Sequence, residues 1–199
     1  MAPSGRGYYE DDLKHINPGP RPDFSTGGWV MMYHGTMATL CRAGGDILRS
    51  GLLSRRDQGR GAPDAWEAWL DDGWGIYVTN ALVSVEKQAQ STATGLVVVA
   101  VRLGSILRAR ARRPRYGPNP FAREKLVAGN YDSVTLVNSD GTQQWCFRGG
   151  HCPVWTLYVG PIGEFQEKMV VELPSPPLTP FKDQRRSEAS LQQIQSRFL

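Results

Sequence analysis

Trp29-Val30-Met31-Met32-Tyr33-His34 is a short apolar run that closes on a histidine and is followed by Gly35-Thr36. About 40 residues later, Gly75-Ile76-Tyr77-Val78-Thr79 is a second short run, opened by a glycine and carrying a tyrosine. Both are rich in aromatic and β-branched residues and bounded by polar or glycine positions, the pattern of short strands. Between them, Met37 to Ser50 reads as a helix with Leu40, Ala43, Ile47 and Leu48 inward, stopped at Gly51. Asp64 to Leu70 reads as a short helix or loop carrying Trp66 and Trp69.

Working outward, Ala81 to Gln90 is expected to be a helix, with Asn80 a good N-cap. Leu96 to Leu103 reads as a long buried strand. Ser133 to Val137, Gln144 to Phe147, Val154 to Val159 and Phe165 to Leu173 read as further strands. Asn138-Ser139-Asp140-Gly141 between the first two of these is a hairpin signal. Helices come early and strands late, with one good β-helix-β crossover, so the fold class is α+β and not a doubly wound parallel sheet. Residues 1–28, with Asn17-Pro18-Gly19-Pro20-Arg21-Pro22, read as an irregular lead-in. Residues 29–173 form the domain. Residues 174–199 combine a linker bearing Pro174, Pro176, Pro177 and Pro180 with a short amphipathic helix through Leu191, Ile194 and Phe198.

The chain has 199 residues, 40% hydrophobic and 10% aromatic, which fits one globular domain with tails. No apolar run approaches the ~20 residues of a membrane span, and the N-terminus has no signal-peptide core. The expectation is an intracellular protein, cytoplasmic or nuclear, with no membrane contact. Three cysteines, Cys41, Cys146 and Cys152, argue against a disulfide framework. Cys146, His151 and Cys152 lack the paired spacing of a zinc site, so no metal is expected.

The net charge is +4, and much of the excess lies in Arg102, Arg108, Arg110, Arg112, Arg113 and Arg115. Pro114 and Pro118 favour a surface loop or short helix there. The segment is either a solvated loop or a contact for the phosphates of a nucleic-acid partner.

The order of Tyr33-His34-Gly35-Thr36, a helix, Gly51-Leu52, Gly75-Ile76-Tyr77-Val78-Thr79, a helix and an apolar strand resembles the ADP-ribosyltransferase superfamily. The likeness is to its His-Tyr-Glu branch, shared by the poly(ADP-ribose) polymerases and the diphtheria-type toxins. Tyr131-Asp132-Ser133-Val134 also looks like a polymerase segment. The resemblance spans about residues 29–173 and implies a mixed, split β-sheet core with flanking helices in a single domain. It implies NAD as substrate, with Tyr33, His34, Gly35, Thr36, Gly75 and Tyr77 binding it, and His34, Tyr77 and Glu167 as the catalytic set. His34 would bond a ribose hydroxyl, the backbone of Gly35 would approach the nicotinamide amide, and Tyr77 would stack on the nicotinamide ring. Glu167 would hold the 2′-hydroxyl of the nicotinamide ribose and stabilise an oxocarbenium-like transition state. The acceptor would be a protein or a nucleic acid.

Read without the resemblance, Glu167 stands out. If residues 165–173 form a strand, Phe165, Glu167, Met169, Val171 and Leu173 share a face on which Glu167 alone is charged. The ordinary alternatives are a Glu167 that reaches solvent, a His34 bonded to backbone, and a Tyr77 that is half-buried core. Two other functions fit the same residues. One is an inactive module binding ADP-ribose or RNA. The other is an NAD glycohydrolase or a protein similar to the RNA 2′-phosphotransferases.

Overall fold

A computed structural model describes residues 6–17, 19–52, 75–89, 95–110, 131–137, 143–148 and 152–174. The architecture is mixed α+β, built on two four-stranded sheets. Strands β1 (Tyr8–Tyr9), β2 (Trp29–Thr36), β4 (Gly95–Arg102) and β8 (Val154–Pro161) form the first, in the order β1-β8-β4-β2 and antiparallel throughout. Strands β3 (Gly75–Val78), β5 (Ile106–Arg110), β6 (Ser133–Val137) and β7 (Gln143–Arg148) form the second, in the order β3-β7-β6-β5, with β5 and β6 parallel. Two helices lie among the described residues, α1 (Asp46–Ser50) and α2 (Leu82–Ala89), and none there is long and apolar enough to cross a membrane.

The run Leu96-Val97-Val98-Val99-Ala100-Val101 makes β4 the centre of the molecule, because both of its faces are apolar. Val97, Val99 and Val101 pack with Val30, Met32, Ile76, Val78, Trp145 and Phe147 in a core that draws on both sheets. Leu96, Val98 and Ala100 pack on the other face with Trp29, Tyr33, Trp155, Tyr158, Leu173 and Val85 of α2. All six residues of the run are fully buried. At roughly 1.5–3 kcal/mol per large apolar side chain, this strand is a main source of stability.

Several expectations need correction. The helix expected over Met37 to Ser50 is a 3-10 turn at Ala38–Leu40 and the short helix α1. Gly44 breaks it with φ of 80°, and a Cβ on Gly45 would stand 2.5 Å from the Leu40 carbonyl oxygen, so the chain folds back where a helix would run on. Arg108 and Arg110 belong to strand β5, not to a loop or helix; Arg112, Arg113 and Arg115 lie outside the described residues. The strand expected over Phe165 to Leu173 is absent: the segment makes 3-10 turns at Ile162–Glu164 and Glu167–Met169.

The lead-in is not irregular throughout. Tyr8 and Tyr9 pair with Val159 and Tyr158, Leu13 is fully buried, and the Asn17 side chain both donates to and accepts from the backbone of Thr156 at 2.9 and 2.7 Å. The expected element at Asp64 to Leu70, the turn at Asn138 to Gly141 and the C-terminal helix lie outside the described residues. The antiparallel pairing of β6 with β7 is the arrangement a hairpin there would give.

Candidate functional site

Among the described residues the two sheets are joined by a backbone bridge. Tyr33 of β2 exchanges both backbone hydrogen bonds with Thr79, just past β3, each at 2.8 Å. In an antiparallel ladder, alternate residues turn their N–H and C=O groups toward one neighbour and then away from it. Tyr33 turns away from β4, as does Met31, whose N–H reaches the Pro174 carbonyl at 3.3 Å. Gly35 is the next residue in phase. Its N–H and C=O therefore face the same edge, just beyond the bridge, and among the described residues no backbone group pairs with them there.

His34 lies between Tyr33 and Gly35 and points to the opposite face of β2 from Tyr33. Its Nδ1 lies 2.6 Å from the Tyr77 carbonyl oxygen. A carbonyl only accepts, so Nδ1 carries the proton. Burial pulls the imidazole pKa below its ordinary value, opposed by the bond to Tyr77. A neutral ring with Nδ1 protonated leaves Nε2 as an acceptor, the form suited to a hydroxyl donor. The contact is also the backbone bond expected of an ordinary strand-end histidine.

Ile76 and Val78 are buried in the shared core, so Tyr77, half-buried, faces the other side of β3. Tyr77 pairs with Cys146 of β7, and Gln144, two residues from Cys146, lies on that same face. Gln144 is half-buried and was not singled out from sequence. The alternation in Gln144-Trp145-Cys146-Phe147, two core aromatics alternating with an amide and a thiol, is the signal that could have found it. Thr36 ends β2 opposite Gly95, and Gly75 opens β3 opposite Arg148. A Cβ on Gly95 would stand 2.8 Å from Cys41 Sγ, so glycine lets the Ala38–Leu40 turn close over this end of the sheet.

Glu167 is brought to a different neighbour. It is exposed, in the turn Glu167–Met169, and its carboxylate lies beside the Tyr33 phenol. Burial, reinforced by the charge and acceptor oxygens of Glu167, pushes that phenol up to about 12. Tyr33 and His34 project from opposite faces of β2. His34 and the Tyr77 backbone thus meet on one face, while Glu167 and Tyr33 meet on the other.

The three cysteines are buried, and none forms a disulfide among the described residues. No protein-family model matches this chain. A search of curated proteins finds none that matches it.

Proposed function

We propose that this chain is an NAD-dependent ADP-ribosyltransferase with an ADP-ribosyltransferase-like split-sheet fold. The observation that carries the reading is the edge of β2 at Gly35. A nicotinamide carboxamide presents one N–H donor side and one C=O acceptor, the complement of the Gly35 C=O and N–H. Glycine keeps a side chain from blocking that approach. His34, neutral and held by Tyr77, offers Nε2 to a ribose hydroxyl, and Tyr33, Thr36, Gly75 and Tyr77 shape the surroundings. In the reaction the bond from nicotinamide to ribose breaks, nicotinamide leaves, and the ribose carbon passes to a nucleophile on a protein or nucleic-acid acceptor. Glu167, which rests beside Tyr33 and does not converge with His34, would have to turn to the Gly35 edge to face the developing cation.

One observation favours a second reading, a module that binds NAD or ADP-ribose without turning it over. It is the position of Glu167 beside Tyr33, on the face of β2 opposite His34. Calorimetric titration with NAD, together with nicotinamide release in the presence and absence of acceptor, separates the two. The transferase reading expects NAD binding, nicotinamide release, and a fall in turnover on the order of 100-fold in Glu167→Gln with NAD affinity kept. Binding without release establishes the module. Absence of NAD binding overturns both.

A further inference from the structure

The N-terminal arm reaches the segment that carries Glu167. Tyr9 pairs with Tyr158 at the edge of the first sheet. Its hydroxyl donates to the Glu164 carbonyl at 3.2 Å and accepts from the Gln166 N–H at 3.0 Å. One phenol thus closes both sides of the bend immediately before Glu167. The arm sits unusually tightly: a Cβ on Gly160 would come within 2.7 Å of Gly7 Cα, and one on Gly7 within 2.6 Å of the Tyr158 ring. The Tyr158 hydroxyl donates to the Pro161 carbonyl at 2.6 Å, fixing the start of the same segment. The Phe165 ring lies 5.0 Å from that of Tyr158 and 6.3 Å from that of Tyr33, so an aromatic row runs from Tyr9 to the phenol that Glu167 faces.

We propose that Tyr9 is a positioning residue for Glu167, its hydroxyl setting the Glu164–Gln166 bend so that the carboxylate is held at Tyr33. The inference rests on the transferase reading only for its effect on turnover. Its structural part stands apart from that reading, because the two hydrogen bonds and the Tyr33 contact are measurable in the resting protein. A merely structural anchor would lower stability without moving the Tyr33 titration.

The test compares full-length wild type with Tyr9→Phe, which keeps the ring, and uses Tyr8→Phe as control. In Tyr9→Phe the Gln166 amide is expected to exchange roughly 5- to 10-fold faster, the loss of one hydrogen bond. The alkaline absorbance titration of Tyr33 should shift downward as Glu167 moves away. The kcat for nicotinamide release should fall about 10-fold or more with KM for NAD nearly unchanged, because misplacement costs chemistry more than binding. Tyr8→Phe should change none of these. Unaltered Gln166 exchange and Tyr33 titration in Tyr9→Phe overturn the inference whatever the turnover. A loosened Gln166 with wild-type kcat overturns it as well. If wild type releases no nicotinamide while both resting-state signals respond to Tyr9→Phe, the transferase reading falls and the positioning contact stands.

Discussion

Replacing His34 tests the junction of the two sheets and the proposed NAD site together. The imidazole is half-buried, and its Nδ1–H satisfies the Tyr77 carbonyl at 2.6 Å. His34→Ala leaves that carbonyl without its donor and opens space beside β3. An unsatisfied buried acceptor costs about 1–3 kcal/mol, and this half-buried contact belongs at the low end, so a loss of about 1 kcal/mol is expected. For a chain of this length that lowers Tm by about 2–4 °C. His34→Gln, which can still donate to the carbonyl, should recover much of it. The same contact predicts the acid behaviour. The folded pKa lies below the ordinary value of 6.5. As pH falls through about 6.5 the unfolded chain takes up a proton that the folded one resists, so stability drops on the acid side. His34→Gln should flatten that limb. Thermal unfolding by circular dichroism between pH 5 and 8 measures both, and titration with NAD at pH 7.5 should show weakened binding in His34→Ala. An unchanged Tm in His34→Ala, with an unchanged acid limb, would refute the argument that this ring joins the sheets.

Tyr33 should contribute to the alkaline limb alongside Cys41, Cys152 and Tyr158, which burial also raises: its phenol stays protonated to about 12 when folded, against an ordinary value of 10.0, so stability declines as pH rises through that interval and Tyr33→Phe should remove part of the decline in a pH-dependent melt. Gly45→Ala should destabilise by about 1–3 kcal/mol in urea, because its Cβ would meet backbone atoms, the Leu40 carbonyl oxygen at 2.5 Å and the Thr39 carbonyl oxygen at 2.8 Å, which cannot swing aside. If the arginine segment contacts a nucleic acid, binding of single-stranded RNA should weaken steeply with salt, and replacing Arg110, Arg112 and Arg113 by Gln should flatten that slope in fluorescence anisotropy without altering NAD affinity.

What the sequence made legible was the material with a strong period or a strong local rule. The stretch Leu96 to Leu103, rich in β-branched residues, reads as a long buried strand and all but its last residue lies in β4, and β2, β3 and α2 fall within a residue or two of their expected bounds. The segment after Phe165 was misread because its alternation mimics a strand. Sheet pairing is a tertiary decision, and here the edge of β2 is taken at Tyr33 by Thr79, leaving a single contact from Pro174. The apolar side chains Phe165, Val170, Val171 and Leu173 instead cap the outer face of the sheet, while Met169 is 58% exposed. The place of Glu167 followed the same error. The helix expected after Met37 failed for a local reason that the adjacent Gly44 and Gly45 could have signalled. The pairing of Tyr8 and Tyr9 with β8 was not legible, since two residues in a glycine- and proline-rich stretch carry no period.

That last pairing bears on how the molecule comes into being. Tyr9 and Glu164 are joined across 155 residues of sequence, and the first sheet is not complete until β8 has arrived to lie between β1 and β4. Closing so long a loop before any reward from its contacts makes folding slow, and the entropic cost falls on the final steps. During synthesis β2 and β4 can pair early, but the arm that contacts the Glu164–Gln166 bend lacks its strand partner until β8 has been made. The contact around Glu167 is therefore assembled last, so a chain interrupted before β8 retains the Tyr33–His34–Gly35 strand yet lacks the partner that orders its surroundings.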